Sequence, residues 1–330
     1  MAYDKALISH ILRQLEQQRQ QREAEAEERR YHLTRTIPRL REIDRELRTT
    51  AARAVRIAFE SNNTDRAIDE LRARNLALQA ERRRILLENG YPADYLTAAC
   101  DCPACRDTGY VESGLCDCVR RRAAAEQKKA LSSLLPVERE TFDTFRLDYY
   151  STRPDSRSGV SPREMAAYNY QKCVQFADRF GAEYENLLLY GAAGLGKTFL
   201  SSCIARRVTE RGFSVTYDTA ISVFDRYSSA RFRDGDLSAA QAVARFHSAD
   251  LLIVDDLGTE TPGAFHTSCL YDLLSRRLMA RLPTILSTNL LPGALEERYS
   301  PAIASRILGE FTQLRFVGDD IRKIRKKAKF

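Results

Sequence analysis

The chain has 330 residues, 29% of them charged and 44% hydrophobic, an ordinary globular composition with room for two or three domains. Its net charge of +7 and its pI near 9.0 permit contact with nucleic acid without proving it. No apolar stretch approaches the roughly 18 residues of a membrane span, and the start of the chain lacks a signal-peptide core, so we expect a cytoplasmic protein with no membrane partner.

The first part of the chain carries helical patterns and no candidate catalytic group. Apolar residues recur every three or four positions between Leu33 and Ala58, which is the period of a helix seam. Pro38 suits a first helical turn, so we expect one helix to end near Arg35 and another to begin there, followed by a break at 61–63. This pattern fits a small helical hairpin or coiled-coil stalk as well as a docking arm for a partner.

Five of the eight cysteines lie between residues 100 and 118. Cys102 and Cys105 form one close pair and Cys116 and Cys118 another, and two such pairs can bind one tetrahedral Zn²⁺ through four thiolates. Disulfides are unfavourable in a cytosolic protein, and a redox pair would not need four thiols. Four thiolates leave no open coordination position, so we expect a structural zinc site, with Cys100 either a spare or a substitute for Cys102.

Residues 191–198 form a complete phosphate-binding loop of the pattern G-x-x-x-x-G-K-[ST]. An apolar run at 187–190 predicts a strand before the loop, and 199–205 predicts a helix after it, so backbone N–H groups at the helix start can surround phosphates. Lys197 would reach the β and γ phosphates, and the Thr198 hydroxyl would coordinate Mg²⁺. The predicted nucleotide contacts are Gly191, Ala192, Ala193, Gly194, Leu195, Gly196, Lys197, Thr198 and Phe199.

Aromatic and arginine side chains alternate after a second predicted strand at 214–217. Such a segment suits single-stranded DNA, because bases stack on rings while phosphates meet cations. The alternative is that Phe224 and Tyr227 are core residues at helical spacing. The candidate DNA contacts are Arg226, Tyr227, Arg231 and Arg233.

Two further strands are predicted to end in polar residues. The apolar run at 251–254 leads into Asp255 and Asp256, and ligands of open α/β sheets lie at the carboxyl ends of strands. Asp255 would hold Mg²⁺ and Asp256 would orient or deprotonate the attacking water, although an Asp-Asp turn alone could be a solvated strand end. Asn289 ends another predicted strand and could position the same water, and Glu260 is a weaker candidate for this site.

Residues 187–308 resemble the AAA+ ATPases, specifically bacterial replicative helicase loaders of the DnaC/DnaI type and the related transposition helper ATPases of the IstB type. The matching stretches are 188–191 with the phosphate loop, 251–260, 287–290 and 305–307, and 141–146 resembles the start of the domain. The resemblance implies an α/β fold: an AAA+ P-loop ATPase domain with a parallel sheet between helices and a reduced lid.

The resemblance also implies roles for polar residues late in the chain. Asn289 looks like the sensor of the γ phosphate, and Arg306 looks like the arginine that a neighbouring subunit supplies in trans. Arg298 resembles an auxiliary arginine, and Arg322 resembles a family position near the nucleotide. Members often carry a second arginine four residues before the trans-acting one, where this chain has Ala302. The division of roles between Arg298 and Arg306 therefore stays open.

The cysteine segment resembles the N-terminal zinc module of DnaI-type loaders, which IstB-type helpers generally lack. The resemblance thus implies an ATP-dependent loader whose helical region docks on the replicative helicase hexamer and whose ATPase domain self-associates. The alternatives are an IstB-like transposition helper and a zinc-bearing adaptor with a slow, switch-like ATPase. We divide the chain into a helical docking region at 1–95, a zinc module at 96–122, a linker at 123–160 and the AAA+ domain at 161–330.

Overall fold

The computed structural model describes residues 5–50, 64–154, 159–233 and 236–327. They group into two compact units, His10–Cys118 on the one hand and Met1–Ser9 with Val119–Phe330 on the other. The predicted helix break at 61–63 and the end of the apolar seam at 51–58 lie outside the described residues. None of the helices in the described ranges is long and apolar enough to cross a membrane.

The first unit is built mainly from helices. They are α1 (Lys5–Thr36), α2 (Pro38–Arg48) and α3 (Thr64–Glu88). Ile37 separates α1 from α2 in an extended conformation with φ −118°, and Pro38 occupies the first turn of α2, which confirms the predicted boundary. Leu40 and Ile43 of α2 pack with Leu78 and Leu86 of α3 in a buried cluster, so the apolar seam forms the core of this unit.

A short hairpin follows, with β1 (Tyr110–Val111) antiparallel to β2 (Gly114–Leu115). The next helix, α4 (Asp117–Ser132), begins directly after the hairpin. The hairpin and the start of α4 therefore carry the second cysteine pair, Cys116 and Cys118, whereas the first pair lies in the loop before β1.

The second unit contains a five-stranded, all-parallel sheet with the strand order β4-β5-β6-β3-β7. The strands are β3 (Leu187–Gly191), β4 (Val215–Thr219), β5 (Leu251–Leu257), β6 (Thr284–Thr288) and β7 (Thr312–Phe316). Because all strands run the same way, their carboxyl ends meet at one edge, and both faces need cover. The predicted α/β fold with a parallel sheet between helices is confirmed.

Helices cover both faces of this sheet. Leu187 and Leu189 of β3 face a core with α5 and α6, whereas Leu188 faces a second core with the remaining helices. A strand buried on both faces reads as an unbroken apolar run, which explains the sequence pattern. The helices of this unit after α4 are α5 (Pro162–Arg179), α6 (Lys197–Glu210), α7 (Ala220–Phe232), α8 (Leu237–Ser248), α9 (Ala264–Met279), α10 (Pro292–Arg298), α11 (Pro301–Glu310) and α12 (Ile321–Lys327).

A buried arginine joins three elements of the second core. The guanidinium of Arg277 in α9 donates to Thr284 Oγ1 at 2.9 Å and to the carbonyls of Phe246 at 2.8 Å, Ala249 at 3.0 Å and Pro283 at 2.7 Å. Burial lowers the pKa of Arg277 to about 10, so the group stays charged at neutral pH. The guanidinium donates to carbonyls at the C-terminal end of α8 and to the carbonyl that directly precedes β6.

Candidate functional site

The phosphate loop connects β3 to α6, and its glycines are required by close contacts. Gly191 has φ +142°, and a Cβ there would lie 2.2 Å from the carbonyl oxygen of Phe316. Gly194 has φ +78°, and a Cβ there would lie 2.1 Å from a carboxylate oxygen of Asp320. Only glycine fits both the backbone conformation and the space. The loop is therefore folded tightly against the chain that follows β7.

Lys197 and Asn289 meet at this loop. The Lys197 ammonium donates to the carbonyls of Gly191 at 2.7 Å and Ala192 at 2.8 Å and to Asn289 Oδ1 at 2.8 Å. The side chain is only 5% exposed, and this burial lowers its pKa, while the negative charges of Asp256 and Asp255 oppose the shift. The structure thus brings together two residues that lie 92 positions apart in the sequence.

Asp255 lies at the centre of a hydrogen-bond network at the end of β5. Its Oδ2 accepts hydrogen bonds from Thr198 Oγ1 and from the Tyr217 hydroxyl, both at 2.9 Å. Its Oδ1 accepts from Ser287 Oγ and from the backbone N–H of Asp256. The carboxylate is 2% exposed and is held from β4, β6 and the phosphate loop at once. A carboxylate beside the Thr198 hydroxyl is the donor set that Mg²⁺ takes in phosphate-loop proteins.

Asp256 adopts a left-handed backbone conformation with φ +53°, and its N–H donates to Ser287 Oγ at 3.1 Å. Burial raises the pKa of its carboxyl group, and the neighbouring charge of Asp255 raises it further, against the opposing charges of Lys197 and Arg322. A carboxylate with a raised pKa is a better proton acceptor at neutral pH. Its position beside the loop is suited to general-base chemistry.

A cavity of about 570 Å³ opens in front of the loop. The loop residues from Ala193 to Phe199, together with Asp256 and Asn289, form one side. Segments 136–150 and 321–325 form the rest, and they contribute most of the positive charge. The lining cations are Lys197, Arg139, Arg146, Arg322 and Arg325. Five cations against few carboxylates favour a polyanionic ligand such as a nucleoside triphosphate.

Glu260 and Arg298 belong to a separate cluster. Glu260 accepts a hydrogen bond from the Tyr299 hydroxyl at 2.5 Å and one from the N–H of Gly258 at 2.9 Å. Arg298 donates to the carbonyls of Gly258 at 3.1 Å and of Glu260, and its Nη2 lies 3.7 Å from Glu260 Oε1. Neither residue lines the nucleotide cavity. The cluster connects the chain after β5 to the end of α10.

Arg306 lies on α11, away from the cavity of its own chain. Its guanidinium stacks 4.3 Å above the ring of Tyr271, donates to the Tyr271 hydroxyl at 2.8 Å and donates to the carbonyl of Ala302 at 3.2 Å. The side chain is partly exposed. Arg306 does not line the nucleotide cavity of its own chain.

The candidate DNA contacts divide into two groups. Arg226, Arg231 and Arg233 are exposed, and Arg231 lies over the rings of Phe232 at 5.5 Å and Phe265 at 5.9 Å. Phe232 is 67% exposed. The contact between Arg231 and Phe265 was not predicted from the sequence, because Phe265 comes from a different helix.

Phe224 and Tyr227, in contrast, pack inside the domain. Phe224 is buried, and the Tyr227 hydroxyl lies 2.9 Å from His247 Nε2 while its ring stacks on Phe246. Burial raises the pKa of Tyr227, which keeps the hydroxyl protonated. These contacts favour the alternative in which Phe224 and Tyr227 are core residues. The candidate DNA-binding surface is therefore reduced to Arg226, Arg231, Phe232 and Arg233.

In the first unit, four cysteines form one compact cluster. The sulfur atoms of Cys102, Cys105, Cys116 and Cys118 lie within 4.8 Å of one another, with Cys102 and Cys116 3.7 Å apart and Cys105 and Cys118 3.5 Å apart. Cys100 is exposed and is not part of the cluster. Four converging thiols match the donor set of a structural Zn²⁺ site, so the cluster is compatible with the predicted zinc module.

Asp107 fixes the loop that carries the first cysteine pair. Its buried carboxylate accepts from the backbone N–H groups of Asp101 and Cys102, both at 2.9 Å, and from Arg22 Nη1 at 3.0 Å. Arg22 also donates to the Asp101 carboxylate at 2.8 Å. The sequence did not single out Asp107 or Arg22, since they lie 85 positions apart.

Comparisons with known proteins agree with this geometry. Residues 166–328 match the family described as IstB-like ATP binding protein. The replicative helicase loader DnaC of Escherichia coli is 25% identical over 150 residues, which are 42% of this chain and 61% of that protein. A protein of Mycobacterium tuberculosis, described as an ATP-binding protein in an insertion sequence, is 26% identical over 193 residues, 58% of this chain and 70% of its own length.

A crystal structure of the DnaC helicase loader is also similar, with 18% identity and a TM-score of 0.45 over 55% of this chain and 99% of that chain. The present chain spans only about three fifths (61%) of the length of the E. coli loader. The family match itself includes the phosphate loop, Asp255 and Asn289. Residues 166–328 therefore form an IstB-like ATP-binding domain with a complete phosphate loop.

Proposed function

We propose that the protein is an ATP-dependent loader of the replicative DNA helicase, an oligomeric AAA+ ATPase that contacts single-stranded DNA. The observation that carries this proposal is the four-thiol cluster, which lies in a helical unit preceding the ATP-binding domain. In the resemblance, loaders of the DnaI type have such a module and IstB-type helpers generally lack it. The E. coli relative, itself a replicative helicase loader, supports the same choice.

In the proposed reaction, Lys197 and the N–H groups at the start of α6 hold the triphosphate, and Thr198 and Asp255 hold Mg²⁺. Bound Mg²⁺ neutralises charge on the β and γ phosphates. Asn289 orients the attacking water and Asp256 accepts its proton as the water oxygen bonds to the γ phosphorus. The bond to the β–γ bridging oxygen then breaks, which yields ADP and phosphate.

Arg306 of one subunit would stabilise the transferring phosphoryl group in the site of the next. Its position on α11, outside the cavity of its own chain, supports this assignment and requires self-association through the ATPase domain. Hydrolysis would then switch the assembly between states that grip and release DNA.

The DNA contact is assigned to the surface formed by Arg226, Arg231, Phe232 and Arg233. A variant with all three arginines changed to Glu should lose stimulation of ATP hydrolysis by single-stranded DNA and keep its basal rate, because phosphate binding needs these cations. A control with the same charge change at the exposed Arg153, Arg179 and Arg276 should be stimulated like the wild type. Unchanged stimulation of the first variant would refute this surface.

The decisive test uses the full chain and the replicative helicase hexamer of its host. After mixing with ATP and zinc, the two should co-elute on size-exclusion chromatography. A Cys102→Ser, Cys105→Ser variant that still binds ATP should not co-elute, since the docking region is assigned to the helical and zinc-binding part of the chain. Separate elution of the zinc-loaded wild-type protein would contradict the loader function.

A transposition helper is the second candidate, favoured by the family match and by the relative from an insertion sequence. This function predicts ATP-dependent assembly on duplex DNA and binding of a transposase, with no binding of the helicase. A third outcome is slow ATP hydrolysis whose rate stays the same when DNA is added. It would indicate an adaptor that uses ATP as a switch.

A further inference from the structure

Tyr217 places a phenol hydroxyl inside the apolar core, directly against the proposed metal-holding carboxylate. The side chain is 9% exposed and packs in the core on the α6 face of the sheet. Its hydroxyl donates to Asp255 Oδ2 at 2.9 Å, and the same oxygen accepts from Thr198 at 2.9 Å. Phenylalanine would fill the same core volume, so packing alone does not require the hydroxyl.

The strand register explains how the contact forms. β4 and β5 are parallel neighbours, with Tyr217 opposite Ile253 and Thr219 opposite Asp255. The phenol ring therefore extends two residues along β5 to reach the end of the strand. The Tyr217 hydroxyl is the donor of this hydrogen bond, and the Asp255 carboxylate is its acceptor.

We propose that Tyr217 is a positioning residue for the carboxylate of Asp255, an inference that rests on the proposed magnesium-holding role of Asp255. With Mg²⁺ bound, the Thr198 hydroxyl would serve the metal ion and would no longer donate to Oδ2. The Tyr217 hydroxyl, fixed by its buried ring, remains on Oδ2, while Ser287 remains on Oδ1. The Tyr217 hydroxyl on Oδ2, together with the Ser287 hydroxyl and the Asp256 N–H on Oδ1, fixes the orientation of the carboxylate.

The test is Tyr217→Phe in the full chain, with the affinity for a fluorescent ATP analogue measured across a Mg²⁺ titration. In EDTA the variant should bind the analogue as the wild type does, because Tyr217 does not line the nucleotide cavity. The Mg²⁺ concentration at the midpoint of the titration should rise by about tenfold, the lower end of the loss when an outer partner of a metal ligand is removed. The Mg²⁺ concentration at the midpoint does not depend on the fraction of the variant that is folded.

Tyr299→Phe is the matched control, since it removes another buried tyrosine–carboxylate hydrogen bond in the same domain, to Glu260. Its Mg²⁺ midpoint should equal that of the wild type. A midpoint for Tyr217→Phe within twofold of the wild type, or an equal shift in both variants, would overturn the inference. If Asp255→Ala also leaves the midpoint unchanged, the metal-holding role of Asp255 fails, and the inference fails with it for that separate reason.

Discussion

Two features of Asp256 lower the stability of the folded protein. Its left-handed backbone is unfavourable for a side chain with a Cβ, and its carboxylate lies partly buried beside the charged Asp255. The side chain lines the cavity together with Lys197 and Arg322. In the proposed reaction, this loss of stability would provide a proton acceptor beside the phosphate loop.

We expect Asp256→Asn to lower ATP turnover by about 10²-fold or more while raising the free energy of unfolding at pH 7. The native pKa lies above the unfolded value of 3.8, so the native state holds its proton more strongly, and stability falls as pH rises through that window. At pH 7, above the unfolded pKa, this penalty acts on the native protein, and the Asn variant does not carry it. Thermal unfolding at pH 7 and below pH 4 checks this: a stability gain that persists at low pH would contradict the charge explanation.

Lys197→Ala and Arg306→Ala should separate binding from turnover. Without Lys197 the cavity loses the cation that touches the loop, and nucleotide binding, measured by fluorescence titration, should be lost. Without Arg306 each subunit should keep its own nucleotide contacts and lose turnover by about 10³-fold or more. Normal hydrolysis by Arg306→Ala would show that the arginine is not a trans-acting catalytic group.

Some polar residues of the structure could be identified from the sequence, and others could not. Lys197 and Thr198 lie within the spaced phosphate-loop pattern, and Asp255 ends a predicted strand, so local pattern is enough to select them as candidates. Tyr217 and Asp107 could not be found this way. Their roles depend on strand register and on a turn conformation, which bring together groups that no local pattern links.

The starts of two helices could be predicted from the sequence, because local capping chemistry determines them. Pro38 begins α2, and Ser161 caps α5 through reciprocal hydrogen bonds with Glu164. The packing of α7 was less clear from its sequence, because aromatic residues at helical spacing suit a core and a DNA surface equally. The contacts of Tyr227 with α8 are tertiary and decide the question.

At the scale of packed elements, Arg277 should matter more for stability than any ion pair nearby. Arg277→Met removes the donors of Thr284 and three backbone carbonyls, and we expect a loss of about 3 kcal/mol or more in the free energy of unfolding. The control Arg276→Met, one residue earlier and exposed, should change stability little. Urea denaturation measures both, and equal losses would contradict the role of the buried network.

For the whole molecule, the two compact units predict two separable responses to metal removal. Chelation should unfold the cysteine loop and hairpin, because a segment of this size would rely on the proposed zinc ion for folding energy. Nucleotide binding by residues 119–330 should persist. Zinc content, circular dichroism and nucleotide titration on one chelated sample test this. Loss of nucleotide binding in parallel with zinc would show that the units are not energetically separate.

The strand order also determines when the protein can first hold ATP during its synthesis. β3, which leads into the phosphate loop, lies between β6 and β7, and both are translated long after it. The contacts that force Gly191 and Gly194 come from Phe316 and Asp320, later still. A ribosome-bound chain that lacks these residues has no finished loop, whereas its cysteine unit has long been complete. Synthesis therefore completes the cysteine-bearing unit before the residues that pack against the phosphate loop.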